Sequence, residues 1–165
     1  MKINFTERAA TTVDKAIIFL VGDDKKLSAG AQVLDKKASG LLTKAMASSN
    51  FSGKRGKYLA VNLAQGARAD FAILAGTGAV KTLDATALEN IGGGVVPTLN
   101  SLRAVSATLV LESTKIGTLS ATEAAARISN GAKLRSYNFD KYFTKKAADE
   151  KPTLKTFTVA LTGSK

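Results

Sequence analysis

Residues 15–22, Lys-Ala-Ile-Ile-Phe-Leu-Val-Gly, set an unbroken apolar run between a lysine and the turn signal Gly22-Asp23-Asp24. A strand directs successive side chains to opposite faces, so a run this short and uniformly apolar has to be covered on both sides. The run fits a strand buried on both faces. It calls for a strand in the middle layer of an α/β stack, with other elements above and below.

The rest of the chain supplies those layers. Ile3 and Phe5 alternate with polar residues and predict an edge strand. Leu27, Ala31, Leu34, Ala38, Leu41 and Ala45 recur at steps of four and three, the stripe of one amphipathic helix from roughly Ser28 to Ala47. Asn50–Lys57 is a loop on composition. Tyr58–Leu63 and Phe71–Gly76, joined by a short glycine-bearing connection, predict a hairpin. Leu88, Ile91, Val95, Leu99 and Leu102 mark a second helix, and the β-branched Val105–Leu111 a further strand. Ser120-Ala-Thr-Glu123 has the spacing of a capping box ahead of a third helix running to about Tyr137, and Leu154–Leu161 alternates and closes the sheet. Six strands interleaved with three helices predict one three-layer α/β domain with a mixed sheet, because the hairpin forces an antiparallel pair.

Composition removes several chemistries. The 165 residues include no cysteine and no histidine, so disulfides, thiolate nucleophiles, Ser-His and Cys-His pairs and imidazole metal ligands are all excluded. No apolar run approaches the length of a membrane span, and the charged start Met1–Arg8 lacks the apolar stretch of a secretory signal. Together with the lack of cysteine this suits a cytoplasmic protein. Lys+Arg 24 against Asp+Glu 13 gives a net charge of +11, which fits either a soluble basic surface or a polyanionic partner such as nucleic acid.

Four groups of residues could carry a function. Gly76-Thr-Gly78 falls between a strand and a helix, where backbone N–H groups can cradle a phosphate, but no third glycine and no Gly-Lys-Ser/Thr follows. Gly92-Gly93-Gly94 with Pro97 is costly inside a helix, at about 1 kcal/mol per glycine and about 3 for proline. It reads as a glycine face that lets the helix lie close on the sheet with a kink at Pro97, as a phosphate- or nucleotide-binding loop, or as a break with a new helix starting at Pro97. Lys54, Arg55, Lys57, Lys145 and Lys146 form the densest basic runs and are candidates for DNA contact. Tyr137, Phe139, Tyr142 and Phe143, set among basic residues, could anchor a helix end, stack bases or form an interface. The adjacent acids Asp23-Asp24 and Asp149-Glu150 do not make a metal site, since neighbouring loop residues rarely aim at one ion.

Three segments together resemble the N-terminal domain of the leucyl (cytosol) aminopeptidases, peptidase family M17. They are Phe51–Lys57 ahead of a strand, Ile73–Gly78, and above all Gly131 with Leu134, Ser136, Tyr137, Phe139, Asp140, Tyr142 and Thr144–Lys146. The resemblance spans nearly the whole chain and implies a macro-domain-like fold. It implies that the parent enzyme removes N-terminal amino acids with two divalent metals, zinc or manganese, in a cytoplasmic homohexamer. The metal ligands and the catalytic signature of that family lie in a C-terminal domain, and no segment here matches them. A non-catalytic role in hexamer architecture and active-site access follows, with DNA binding or a macro-like nucleotide or ADP-ribose site as alternatives. The chain departs from the family pattern at Gly92–Gly94 and Pro97, where more alanine is expected.

Overall fold

A computed structural model describes residues 1–7, 14–64, 69–137 and 152–162. Its centre is a six-stranded sheet built from β1 (Lys2–Thr6), β2 (Ala16–Gly22), β3 (Tyr58–Asn62), β4 (Phe71–Gly78), β5 (Ser106–Leu111) and, last in the chain, β8 (Thr156–Leu161). The spatial order is β1-β8-β5-β2-β4-β3. Every neighbouring pair is parallel except β3–β4, the predicted hairpin, in which Tyr58 faces Ala75 and Asn62 faces Phe71. A separate two-residue ladder joins β6 (Lys115–Ile116) to β7 (Leu119–Ser120).

Strand β2 lies in the interior of the sheet, as its apolar run requires. Ala16 and Ile18 point into one core, and Phe19 and Val21 into another. The first core packs under α3 (Ala85–Ser101) and α4 (Ala121–Arg135). The second packs under α1 (Ala29–Lys37) and α2 (Leu41–Ser48). The domain is therefore three-layered, with helices on both faces of a mixed sheet.

Two expectations need correction. The single helix predicted over Ser28–Ala47 is two helices. Ser39 (φ 55°) and Gly40 (φ 76°) adopt left-handed backbone between them, and the Asp35 side chain takes the second helix's free donors. Its Oδ1 accepts from the backbone N–H of Leu42 at 2.7 Å and of Thr43 at 3.2 Å, and its Oδ2 from the Thr43 hydroxyl at 2.5 Å. The apolar stripe runs through the break because the short turn at residues 38–40 hardly disturbs its spacing. Second, Gly76–Gly78 does not open directly into a helix: these residues end β4, and a single 3-10 turn (Val80–Thr82) intervenes before α3, which Asp84 caps through Ala87 N–H at 2.7 Å. Strand β8 completes the sheet from within, inserted between β1 and β5 and parallel to both.

Helix α3 runs unbroken through Gly92–Gly94 and Pro97. Its glycines serve mainly the neighbouring helix. A Cβ on Gly92 would stand 1.9 Å from Ile128 O on α4, and a Cβ on Gly131 of α4 would stand 1.9 Å from Glu89 O on α3. Gly94 faces the sheet, where a Cβ would meet the Tyr58 hydroxyl at 2.0 Å. The two backbones can touch only because these positions carry no side chain. Ser120 and Glu123 form the predicted capping box at the start of α4.

Candidate site at the carboxyl edge of the sheet

In an open parallel sheet, ligands bind beyond the carboxyl ends of strands, where successive crossovers depart to opposite faces. Here that position lies between β2, whose crossover through α1 and α2 covers one face, and β5, whose crossover through α4 covers the other. Three loops converge beside it: residues 22–28 after β2, residues 51–57 before β3, and residues 78–84 after β4.

The glycines there are used by the protein itself. Gly53 (φ 65°) lies against Gly22, where an added Cβ would meet Gly22 O at 1.9 Å. Gly76 lies under the 51–57 loop, where a Cβ would meet Lys54 O at 2.2 Å. The N–H groups that the sequence offers to a phosphate are spent on carbonyls: Gly76 N–H on Lys57 O and Gly78 N–H on Gly53 O, both at 2.8 Å. Buried Thr77 places its hydroxyl 3.3 Å from Val21 O and 3.1 Å from Gly78 O. The 51–57 loop is thus sewn to the end of β4, and Phe51 enters the second core.

The same convergence gathers charge. Lys54, Arg55 and Lys57 are exposed on this loop, Arg55 sending Nε to Thr77 O at 3.4 Å. Lys25 and Lys26 are exposed on the loop after β2 and Lys81 on the turn after β4, and Asp23 and Asp24 are the acids among them. Only Lys26 and Asp24 approach as an ion pair in this group, at 3.9 Å. At that distance and exposure the pair contributes little.

Gly92, Gly93 and Gly94 belong to helix α3. They line the α3–α4 contact and the Tyr58 notch, where Tyr58 donates to Ile91 O at 3.3 Å and burial raises its phenol above the ordinary value of 10.0. Tyr137, just past α4, is 75% exposed, and Leu134 in the last turn of α4 is 66% exposed. Phe139, Tyr142, Phe143, Lys145 and Lys146 lie outside the described residues. One participant has no signature in the sequence: Glu112, directly after β5, whose carboxylate reaches across to α1 and accepts from Gly30 N–H at 2.6 Å. A single acid after a strand carries no pattern by which it could be found.

Metal binding finds no donor set here. Histidine and cysteine are absent from the sequence, and among the described residues no group of three or more acids could hold an ion. No helix of the described residues is long and apolar enough to cross a membrane.

The architecture defines a macro-domain-like α/β module. A mutant tomato leucine aminopeptidase superposes with a TM-score of 0.79 at 20% identity, covering 100% of this chain and 33% of that one. The macrodomain of Thermus aquaticus DarG superposes with a TM-score of 0.64 at 13% identity, covering 96% and 97%. At such identities these likenesses establish the fold alone. The sequence goes further: the profile of the cytosol aminopeptidase family, N-terminal domain, matches residues 17–146, and the chain belongs to that family. The probable cytosol aminopeptidase of Rickettsia bellii is 28% identical over 163 residues, 97% of this chain but 32% of the relative. That of Methylorubrum populi is 33% identical over 135 residues, 81% of this chain and 26% of the relative. The chain spans about a third of the length of the curated relatives it matches.

Proposed function

We propose that this domain is the non-catalytic N-terminal part of a cytoplasmic metallo-aminopeptidase. A C-terminal catalytic domain would hold two divalent metals, zinc or manganese, and carry out removal of N-terminal amino acids. The present residues would shape a homohexamer and govern access to its active sites. The observation that carries this reading is the family match over residues 17–146 in a chain a third as long as its relatives. It is supported by the lack of His and Cys, which leaves this domain no imidazole or thiolate to offer a metal or a nucleophilic mechanism. The test is direct. The purified 165-residue chain, supplied with zinc or manganese, is expected to leave leucine p-nitroanilide intact, while the same chain joined to a family catalytic domain turns it over. Hydrolysis by the chain alone would overturn the reading.

A second reading, nucleic-acid binding, rests on the convergence of Lys25, Lys26, Lys54, Arg55, Lys57 and Lys81 on neighbouring loops of one sheet edge. Neutralising phosphates releases counterions, so affinity for duplex DNA should fall steeply with salt. Fluorescence titration at two salt concentrations measures it. Absence of binding at low salt removes this reading and leaves the first intact.

A further inference from the structure

Helix α1 begins in the crevice between β2 and β5, and a helix start offers unpaired N–H groups and a partial positive charge to any anion. Ser28 caps Ala31 N–H, though at a long 3.4 Å, and the first turn of the helix has no acidic residue of its own. The negative charge comes instead from another element. Glu112 Oε1 accepts from Gly30 N–H at 2.6 Å. An alanine Cβ at position 30 would fall 2.6 Å from that oxygen and 3.2 Å from the carboxyl carbon, so glycine is what admits the carboxylate. The second oxygen, Oε2, is buried with no hydrogen-bond partner among the described residues. A carboxylate is held here by one short charged hydrogen bond, with its other oxygen shut away from solvent, at the position where a doubly wound sheet ordinarily receives a phosphate.

We infer that Glu112 is a resident anion: from within the chain it fills the phosphate-type cradle at the start of α1 and closes that cradle to phosphate-bearing ligands. The neighbouring donors are also committed, Gly76 and Gly78 N–H to backbone carbonyls. The crevice thus keeps the layout of a ligand site while its anion position is taken. This inference is independent of the aminopeptidase reading, since it concerns only whether the crevice is open.

The experiment follows the Gly30 amide resonance of the isotope-labelled 165-residue chain during titration with inorganic phosphate, against chloride at matched ionic strength. In the wild-type chain Gly30 is expected not to respond. In Glu112→Ala the emptied cradle should give a saturable Gly30 shift, and the midpoint of thermal unfolding without phosphate should fall by about 2–6 °C. Glu112→Gln keeps the shape and removes the charge. It guards against loss of folding in the alanine variant, and Gly30 should then shift at phosphate concentrations that leave the wild type unmoved. A wild-type response at the same concentrations as either variant, or no response in either variant, overturns the inference.

Discussion

The two faces of the sheet are held by different means. On one, α3 and α4 touch backbone to backbone, through Gly92 against Ile128 and Gly131 against Glu89. Arg127 and Asn130 of α4 reinforce the contact on the surface by holding the Glu89 carboxylate at 3.1 and 3.2 Å. On the other, α1 and α2 are short, broken at Ser39-Gly40, and secured at their ends by the carboxylates of Asp35 and Glu112. The first face depends on the absence of side-chain atoms, the second on the presence of a few polar ones. The contrast teaches where each is vulnerable: added volume should break the first, and lost hydrogen bonds should loosen the second.

The largest effect is expected from Gly131→Ala or Gly92→Ala. In an ordinary helix this change stabilises by about 1 kcal/mol. Here the new methyl would enter a backbone carbonyl, and overpacking should reverse the sign to a loss of about 3 kcal/mol or more in urea unfolding. A stabilised variant would mean that the helices do not touch at these glycines. Next comes Asp35→Ala, which strips three donors of α2 of their acceptor and should cost about 1–2 kcal/mol. The loss should be local, with hydrogen exchange rising in Leu41–Ser48 before it rises in α3. Ser120→Ala should cost about 1 kcal/mol, and Ser28→Ala less, since Ser120 belongs to a reciprocal capping box with Glu123 and Ser28 has no such partner in its own first turn. Equal losses would erase the distinction between a complete capping box and a helix start served by Glu112.

The smallest effect concerns Tyr58, whose hydroxyl fits the notch of Gly94. Burial raises its pKa above 10.0, so the folded state holds the phenolic proton more tightly than the unfolded chain does. That contribution is intact below the unfolded value and is lost as pH rises through the folded one. The urea midpoint should therefore decline above about pH 10, and Tyr58→Phe should flatten the decline at a cost of about 1 kcal/mol or less. An unchanged alkaline slope in that variant would detach Tyr58 from it.

The layering was legible because burial leaves a period. The unbroken run Ala16–Val21 announces a strand covered on both faces, and Ser120 with Glu123 announces the start of α4 by side-chain spacing alone. What the sequence hides is contact between segments distant along the chain. Gly92 and Gly131 lie 39 positions apart in the numbering, and neither pattern predicts that each admits the other helix's carbonyl. Gly40 sits inside an apolar stripe whose spacing survives the break, so periodicity joined two helices into one. At the carboxyl edge, the glycine motif at 76–78 offers in sequence the backbone N–H groups of a phosphate cradle. Its partner, however, is the loop carrying Lys54 and Arg55, brought there by the hairpin. Glu112 has no local signature at all, because its meaning comes from the helix it faces.

The place of β8 has a consequence for how the protein is made. Among the described residues β1 pairs with β8 alone, joining Lys2 to Thr156 and Thr6 to Ala160. During synthesis the first strand therefore waits for the sheet strand that comes last in chain order among the described residues. Until that segment slots in beside β5, the exposed border of β5 and the waiting β1 are both open to wrong partners. Closing so long a loop slows assembly, and the nascent domain is most exposed to aggregation just before β8 emerges.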